Sequence, residues 1–218
     1  MKRAGLSLVV VGAALLACGV RASADSSAPP GPQKYYSANR RYYVEVIPRV
    51  LESPLKYFED KFANKEPAGS KPGVGDNYCK GAFYSRKDDG GYEKVWERRL
   101  SNDVAPVSAL VSDGGEYVAT FDNWRFVGYG DDVVVIYGPA GSLFRKLALS
   151  DIVHKTSNLP RSATSIFWGG RHYIDEKSLQ LVLRVLSGWS PHDEEGVYKD
   201  VRIDLRTGEL VEAKAVAE

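Results

Sequence analysis

Residues 179–185 read Leu179-Gln180-Leu181-Val182-Leu183-Arg184-Val185. Leu179, Leu181, Leu183 and Val185 fall on one side and Gln180 and Arg184 on the other, the two-residue period of a strand with one buried face. Val201, Ile203 and Leu205 repeat the pattern, with Arg202, Asp204 and Arg206 pointing away. A fully buried aliphatic side chain contributes about 1.5–3 kcal/mol and an exposed ion pair about 0–1, so these apolar faces decide how the chain folds. Further back, Val133-Val134-Val135-Ile136-Tyr137 is apolar on both sides, which predicts a covered strand in the interior of its sheet. Turns with Gly where a positive φ is needed separate such runs: Asp88-Asp89-Gly90-Gly91, Gly138-Pro139-Ala140-Gly141 and Arg206-Thr207-Gly208.

Two internal echoes accompany the turns. Ser37–Val44 (SANRRYYV) matches Ser112–Ala119 (SDGGEYVA) through the Ser and the Tyr five residues on. Val134–Leu143 (VVIYGPAGSL) matches Val201–Leu210 (VRIDLRTGEL), at a different offset, so no fixed period results. A further hairpin spans Ala82–Leu100. This succession of strand, Gly turn and strand resembles the blades of β-propellers, and the resemblance implies about three antiparallel meanders. A closed propeller typically needs about four to eight blades, which leaves an open stack, completion by a second chain, or a β-sandwich. One helix interrupts the strands: Ser53 can cap it, Pro54 suits its first turn, and Leu55, Phe58 and Phe62 share a face. Being only about 12 residues long, it must dock that face on the sheet. Pro67–Gly75 reads as a mobile loop on composition. The expected fold is a single all-β domain, residues 35–218, of antiparallel meanders with one short docked helix; a β-sandwich is the alternative.

Lys2 and Arg3 precede an apolar run, Leu6–Leu16, which is too short to span a bilayer core needing about 20 apolar residues. This predicts a signal peptide over 1–24, with cleavage after Ala22-Ser23-Ala24, and a flexible Ser/Ala/Pro linker over 25–34. The competing reading is Leu15-Leu16-Ala17-Cys18, which resembles the lipobox of bacterial lipoproteins and makes Cys18 a candidate lipidation site. The expected location is periplasmic or secreted, or lipid-anchored in the second case, with the membrane reached only through that anchor. With Cys18 removed or acylated, Cys79 has no internal disulfide partner, and burial as a small hydrophobe is its plainest reading. The chain has 29 basic and 28 acidic residues, interleaved along the sequence, which argues against a nucleic-acid partner.

Most catalytic signatures are missing: there is no G-x-S-x-G, H-E-x-x-H, G-x-x-x-x-G-K or C-x-x-C. Ser53-Pro54-Leu55-Lys56 has the S-x-x-K spacing of penicillin-binding enzymes. However, Ser101-Asn102-Asp103 reads S-N-D rather than S-D-N, and Lys155-Thr156 is followed by Ser157 rather than Gly, so Ser53 reads as a helix cap. His154, His172 and His192 are spaced too widely for a zinc site. His192-Asp193-Glu194-Glu195 is a candidate cation trap that reads better as a solvated turn, and His172 a candidate general base at a strand end.

The richest segment lies between Phe121 and Val133. Asp122, Asn123, Trp124, Arg125, Tyr129, Asp131 and Asp132 combine carboxylates, an amide and two flat rings, a set that can stack on a sugar, hydrogen-bond its hydroxyls or hold calcium. The same residues can instead tie down their own turn, with Trp124 as a lid on the core. Thr120–Gly130 and Asp131–Gly138 also resemble a segment of uncharacterised exported bacterial proteins, which implies no activity. The expected ligand-binding residues are Asp122, Asn123, Trp124, Tyr129 and Asp131, with no catalytic residue, metal or cofactor. The expected function is a non-catalytic binding module of the cell envelope, its partner a glycan, peptide or protein. The alternative is a hydrolase of envelope polymers, which requires Asp122 or Asp131 to meet His172 or His192 within hydrogen-bond reach.

Overall fold

A computed structural model describes residues 29–63, 65, 77–188 and 196–211. The expected signal peptide, Cys18, the Pro67–Gly75 loop and His192 lie outside the described residues. The rest is all-β: three four-stranded antiparallel sheets, each a meander in chain order. The first holds β1 (Gln33–Tyr36), β2 (Tyr42–Ile47), β3 (Lys80–Arg86) and β4 (Tyr92–Arg99). The second holds β5 (Ser108–Val111), β6 (Val118–Phe121), β7 (Val134–Tyr137) and β8 (Leu143–Leu147). The third holds β9 (Tyr173–Asp175), β10 (Gln180–Gly188), β11 (Val197–Asp204) and β12 (Leu210–Val211). There are three sheets rather than the two of a sandwich. β1 starts at Gln33, inside the stretch read as linker, because Gln33 and Lys34 already pair with Val46 and Glu45 of β2.

The second sheet is the centre of the molecule. Its side chains alternate between two cores, as the pleat requires. Val118, Val135 and Tyr137 join Val44, Val46, Phe83 and Trp96 of the first sheet, while Phe121, Val134, Ile136 and Leu147 join Leu181, Leu183, Ile203 and Leu205 of the third. Hence the apolar run of β7, which lies between β6 and β8 with every residue buried.

The echoed Ser-to-Tyr segments prove to be equivalent hairpin turns. Ser37 N–H donates to the Tyr42 carbonyl at 2.9 Å and Tyr42 N–H to Ser37 Oγ at 3.1 Å; Ser112 and Tyr117 make the same two bonds, each at 3.0 Å. The turns also join the sheets at one end. Asn39 N–H donates to Asp113 Oδ1, and Asp113 N–H to Glu176 Oε1, each at 2.8 Å. Gly115 has φ +75°, and a Cβ there would enter the Tyr42 ring, so the second turn needs glycine for the close approach as well.

Helix α1 (Pro54–Phe62) sits between β2 and β3, capped by Ser53, whose Oγ accepts from Lys56 N–H at 3.4 Å. Its buried face is not the expected one. Leu55 is 69% exposed and Phe62 75%, whereas Tyr57 is buried and Phe58 packs against it. A polar anchor sets the docking angle: the Tyr57 hydroxyl donates to Asp103 Oδ2 at 2.8 Å, and Phe58 meets Trp124 and Phe126. A second short helix, α2 (Leu149–Ile152), follows β8 without a clear sequence signal.

Candidate functional site

The loop from β6 to β7 turns at once, because Asp122 adopts φ 56°, a left-handed conformation that Asp tolerates better than most residues. The turn is closed by Asp122 N–H on the Val133 carbonyl at 2.7 Å and by an Asn123–Phe126 bridge. The expected site residues then leave it in three directions.

Asp122 points toward the third sheet. Its Oδ1 accepts from Gly128 N–H at 2.7 Å and from Trp168 Nε1 at 3.0 Å. Gly128 has φ +75°, and a Cβ there would strike Ile166. Burial pushes the Asp122 carboxyl up to about 6 despite these two donors. His172 lines the same 190 Å³ cavity, its ring stacked on Phe121 and on Trp168 with centroids 4.7 and 4.8 Å away. Burial lowers His172 to about 4. Its Nδ1 accepts the Arg184 backbone N–H at 3.2 Å, so that nitrogen carries no proton for a carboxylate to orient. Asp122 and His172 thus share a cavity but each is engaged elsewhere, and Asp131 lies outside that cavity.

Trp124 goes into a small core. It is 5% exposed and packs with Tyr57, Val104 and Phe58, on the underside of α1. Its backbone N–H donates to the Ala105 carbonyl at 2.9 Å.

Asn123, Tyr129 and Asp131 line a third region, a cleft of 510 Å³ between the first sheet with α1 and the second sheet. Asn123 is its floor: Oδ1 accepts from Asp103 N–H at 3.0 Å and Nδ2 donates to Asp132 Oδ1 at 2.7 Å. Asp132 is buried, which raises its carboxyl above the ordinary value. Tyr129 is 38% exposed on the rim, and Asp131 forms an exposed pair with Lys146 at 2.8 Å.

The facing wall contains residues that the sequence did not mark as a binding site, Asp103 having entered only in a mismatched S-N-D pattern. Asp103 accepts from Arg49 Nη1 at 2.8 Å, from Tyr57 Oη at 2.8 Å and from Lys61 Nζ at 2.5 Å. Burial pushes Asp103 up, but the bonds from Lys61 and Tyr57 and the nearby Lys61 and Arg49 charges outweigh it and hold the carboxyl below its usual value. Burial, then the Asp103 charge, raises Tyr57. Arg99, the last residue of β4, lies over the Tyr78 ring at 5.4 Å, and no carboxylate among the described residues pairs with it. No local motif marks these positions. The register brings them together, Ile47 pairing with Lys80 and Lys80 with Arg99.

Among the described residues, no group of three or more His, Cys, Asp and Glu side chains is placed to hold a metal. The loop that could have supplied calcium ligands sends Asp122 and Asp131 into different cavities. No family model matches the chain, and comparison with curated proteins finds no relative.

Proposed function

We propose that this protein is a non-catalytic binding module of the cell envelope, built as an open stack of three propeller-like blades, and that the cleft between the first two blades takes a polar ligand from an envelope polymer. The single observation that carries this reading is that Asn123, Tyr129 and Asp131 meet Arg99, Tyr78 and Lys61 around one 510 Å³ cleft. Cavities of about 300–1,000 Å³ with convergent polar groups and exposed rings are the usual form of a small-ligand site. The buried polar floor, Asn102-Asp103-Asn123-Asp132, supplies the rigidity: Asn102 donates to the Asp122 carbonyl at 2.8 Å, and Asn123 ties Asp103 to Asp132.

The hydrolase alternative draws less support. Asp122 accepts from the Gly128 backbone and the Trp168 indole, and His172 has its Nδ1 committed to Arg184. Neither is poised to pass a proton to the other.

The test is co-sedimentation of the mature chain with purified peptidoglycan sacculi. The wild type is expected to sediment with them, and Tyr129→Ala to lose at least about tenfold in affinity with an unchanged melting temperature. Equal sedimentation of both proteins would remove the cleft as the site. Release of reducing sugar or free peptide from the sacculi would favour the hydrolase.

A further inference from the structure

The two walls of the cleft differ in charge. On the side of the first blade and α1, the charged residues lining the cleft are the basic Arg49, Lys61 and Arg99 and the acidic Asp103, and Arg99 lies over the Tyr78 ring with no carboxylate partner among the described residues. That wall carries an excess of positive charge. On the side of the second blade, the charged residues described along the cleft are Asp131 and Asp132 with Lys146, and Asp131 is 82% exposed at its side chain. That wall carries an excess of negative charge.

Asp103 already accepts from three donors of the protein itself, Arg49, Tyr57 and Lys61. Arg99 has capacity for a ligand. A guanidinium laid on a ring presents its N–H fork edge-on, the geometry that takes a carboxylate through two parallel bonds. Across the cleft, Asp132 uses Oδ1 for Asn123. Its burial makes an unneutralised charge costly, which an arriving ammonium group would relieve.

Resting on the binding reading above, we infer that the cleft is a subsite for a short peptide with a free carboxylate and a free amine, the carboxylate on Arg99 and the amine on Asp132. A neutral sugar would satisfy the rings of Tyr78 and Tyr129 but would leave both charge excesses uncompensated. The inference therefore distinguishes the peptide portion of an envelope polymer from its glycan strand.

Calorimetric titration of the mature chain with four probes tests this: tri-alanine with free ends, its N-acetylated form, its C-terminal amide, and a neutral tetrasaccharide of N-acetylglucosamine. The free tripeptide is expected to bind best, with acetylation and amidation each costing about tenfold. Arg99→Gln is expected to cost the free tripeptide about tenfold yet make no difference to the amide; Asp132→Asn should behave in the same way toward the acetylated probe. If the tetrasaccharide binds as well as the tripeptide and blocking the ends changes nothing, the peptide inference is overturned while the binding module stands. If no probe binds and sacculi are not bound either, both readings fall. Because the end-blocked probes need no variant, the result holds even if Asp132→Asn does not fold.

Discussion

At the residue scale, Asp122 and His172 form an opposed pair in their effect on stability. The Asp122 carboxyl is raised from 3.8 to about 6, so its contribution is full below about pH 4 and is lost as pH rises through 6. The His172 imidazole is lowered from 6.5 to about 4, so its contribution is full above 6.5 and is lost as pH falls through 4. Each is worth about 3 kcal/mol, and in the shared window they act in opposite directions. In urea titrations, Asp122→Asn should therefore make stability rise with pH from 4 to 6.5, and His172→Phe should make it fall from pH 4 to 6. Parallel profiles for the two variants would contradict this account. Cys79 offers a simpler case. It is fully buried, and burial pushes its thiol up to about 12. A thiol reagent at pH 8 should modify it only after denaturant is added; fast labelling of the native chain would show the thiol to be reactive. Trp124 shows what sequence reasoning misses at this scale. A Trp among acidic and amide residues has the composition of a recognition loop, but truncating a buried one costs about 3–5 kcal/mol. Trp124→Ala should lower the melting temperature by many degrees, so it is a poor probe of ligand binding.

At the element scale, α1 shows how a polar anchor can override an amphipathic stripe. Leu55, Phe58 and Phe62 share a face in the sequence, yet Tyr57 is the residue that goes in, because its hydroxyl has an ionised partner in Asp103. A hydrogen bond to a charged group is worth about 1.5–3 kcal/mol, comparable to burying one aliphatic side chain. Tyr57→Phe should cost about that amount in denaturant unfolding, while Leu55→Ala should stay within about 0.5 kcal/mol. The reverse order would restore the stripe as the docking face. Asp103→Ala should be worse than either, by about 3–5 kcal/mol, since Arg49 is only 6% exposed and loses a carboxylate. The Gly-bearing turns, by contrast, sit where the sequence placed them: Gly90 with φ 85° between β3 and β4, and Gly208 with φ 73° between β11 and β12. Local backbone chemistry decides a turn, and a short segment contains all of it.

At the scale of the whole molecule, the second sheet belongs to two cores at once, so neither neighbour can leave without exposing it. Removing residues 173–211 would uncover Phe121, Val134, Ile136 and Leu147 together. The intact chain should unfold in one transition, with circular dichroism and tryptophan fluorescence coinciding, and the truncated chain should aggregate. Two separated transitions in the intact chain would mean that the cores are independent. The outward faces of the end sheets are of a different kind. Lys80 and Lys94 pair with Glu97 on the first, beside the stacked rings of Tyr43 and Tyr84, and Arg184 and Arg202 pair with Asp200 on the third. The strand period, the interior run of β7, the hairpin turns and the Ser53 cap were all determined by the sequence itself, because each depends on residues within a few positions of one another. Only the tertiary structure decided which way the β6–β7 loop sends its side chains, which face of α1 is buried, and that Arg99 and Tyr78 face Asp131 and Asp132. These depend on pairing between segments far apart in the chain, where burial and charge neutralisation are settled by neighbours that no local pattern names.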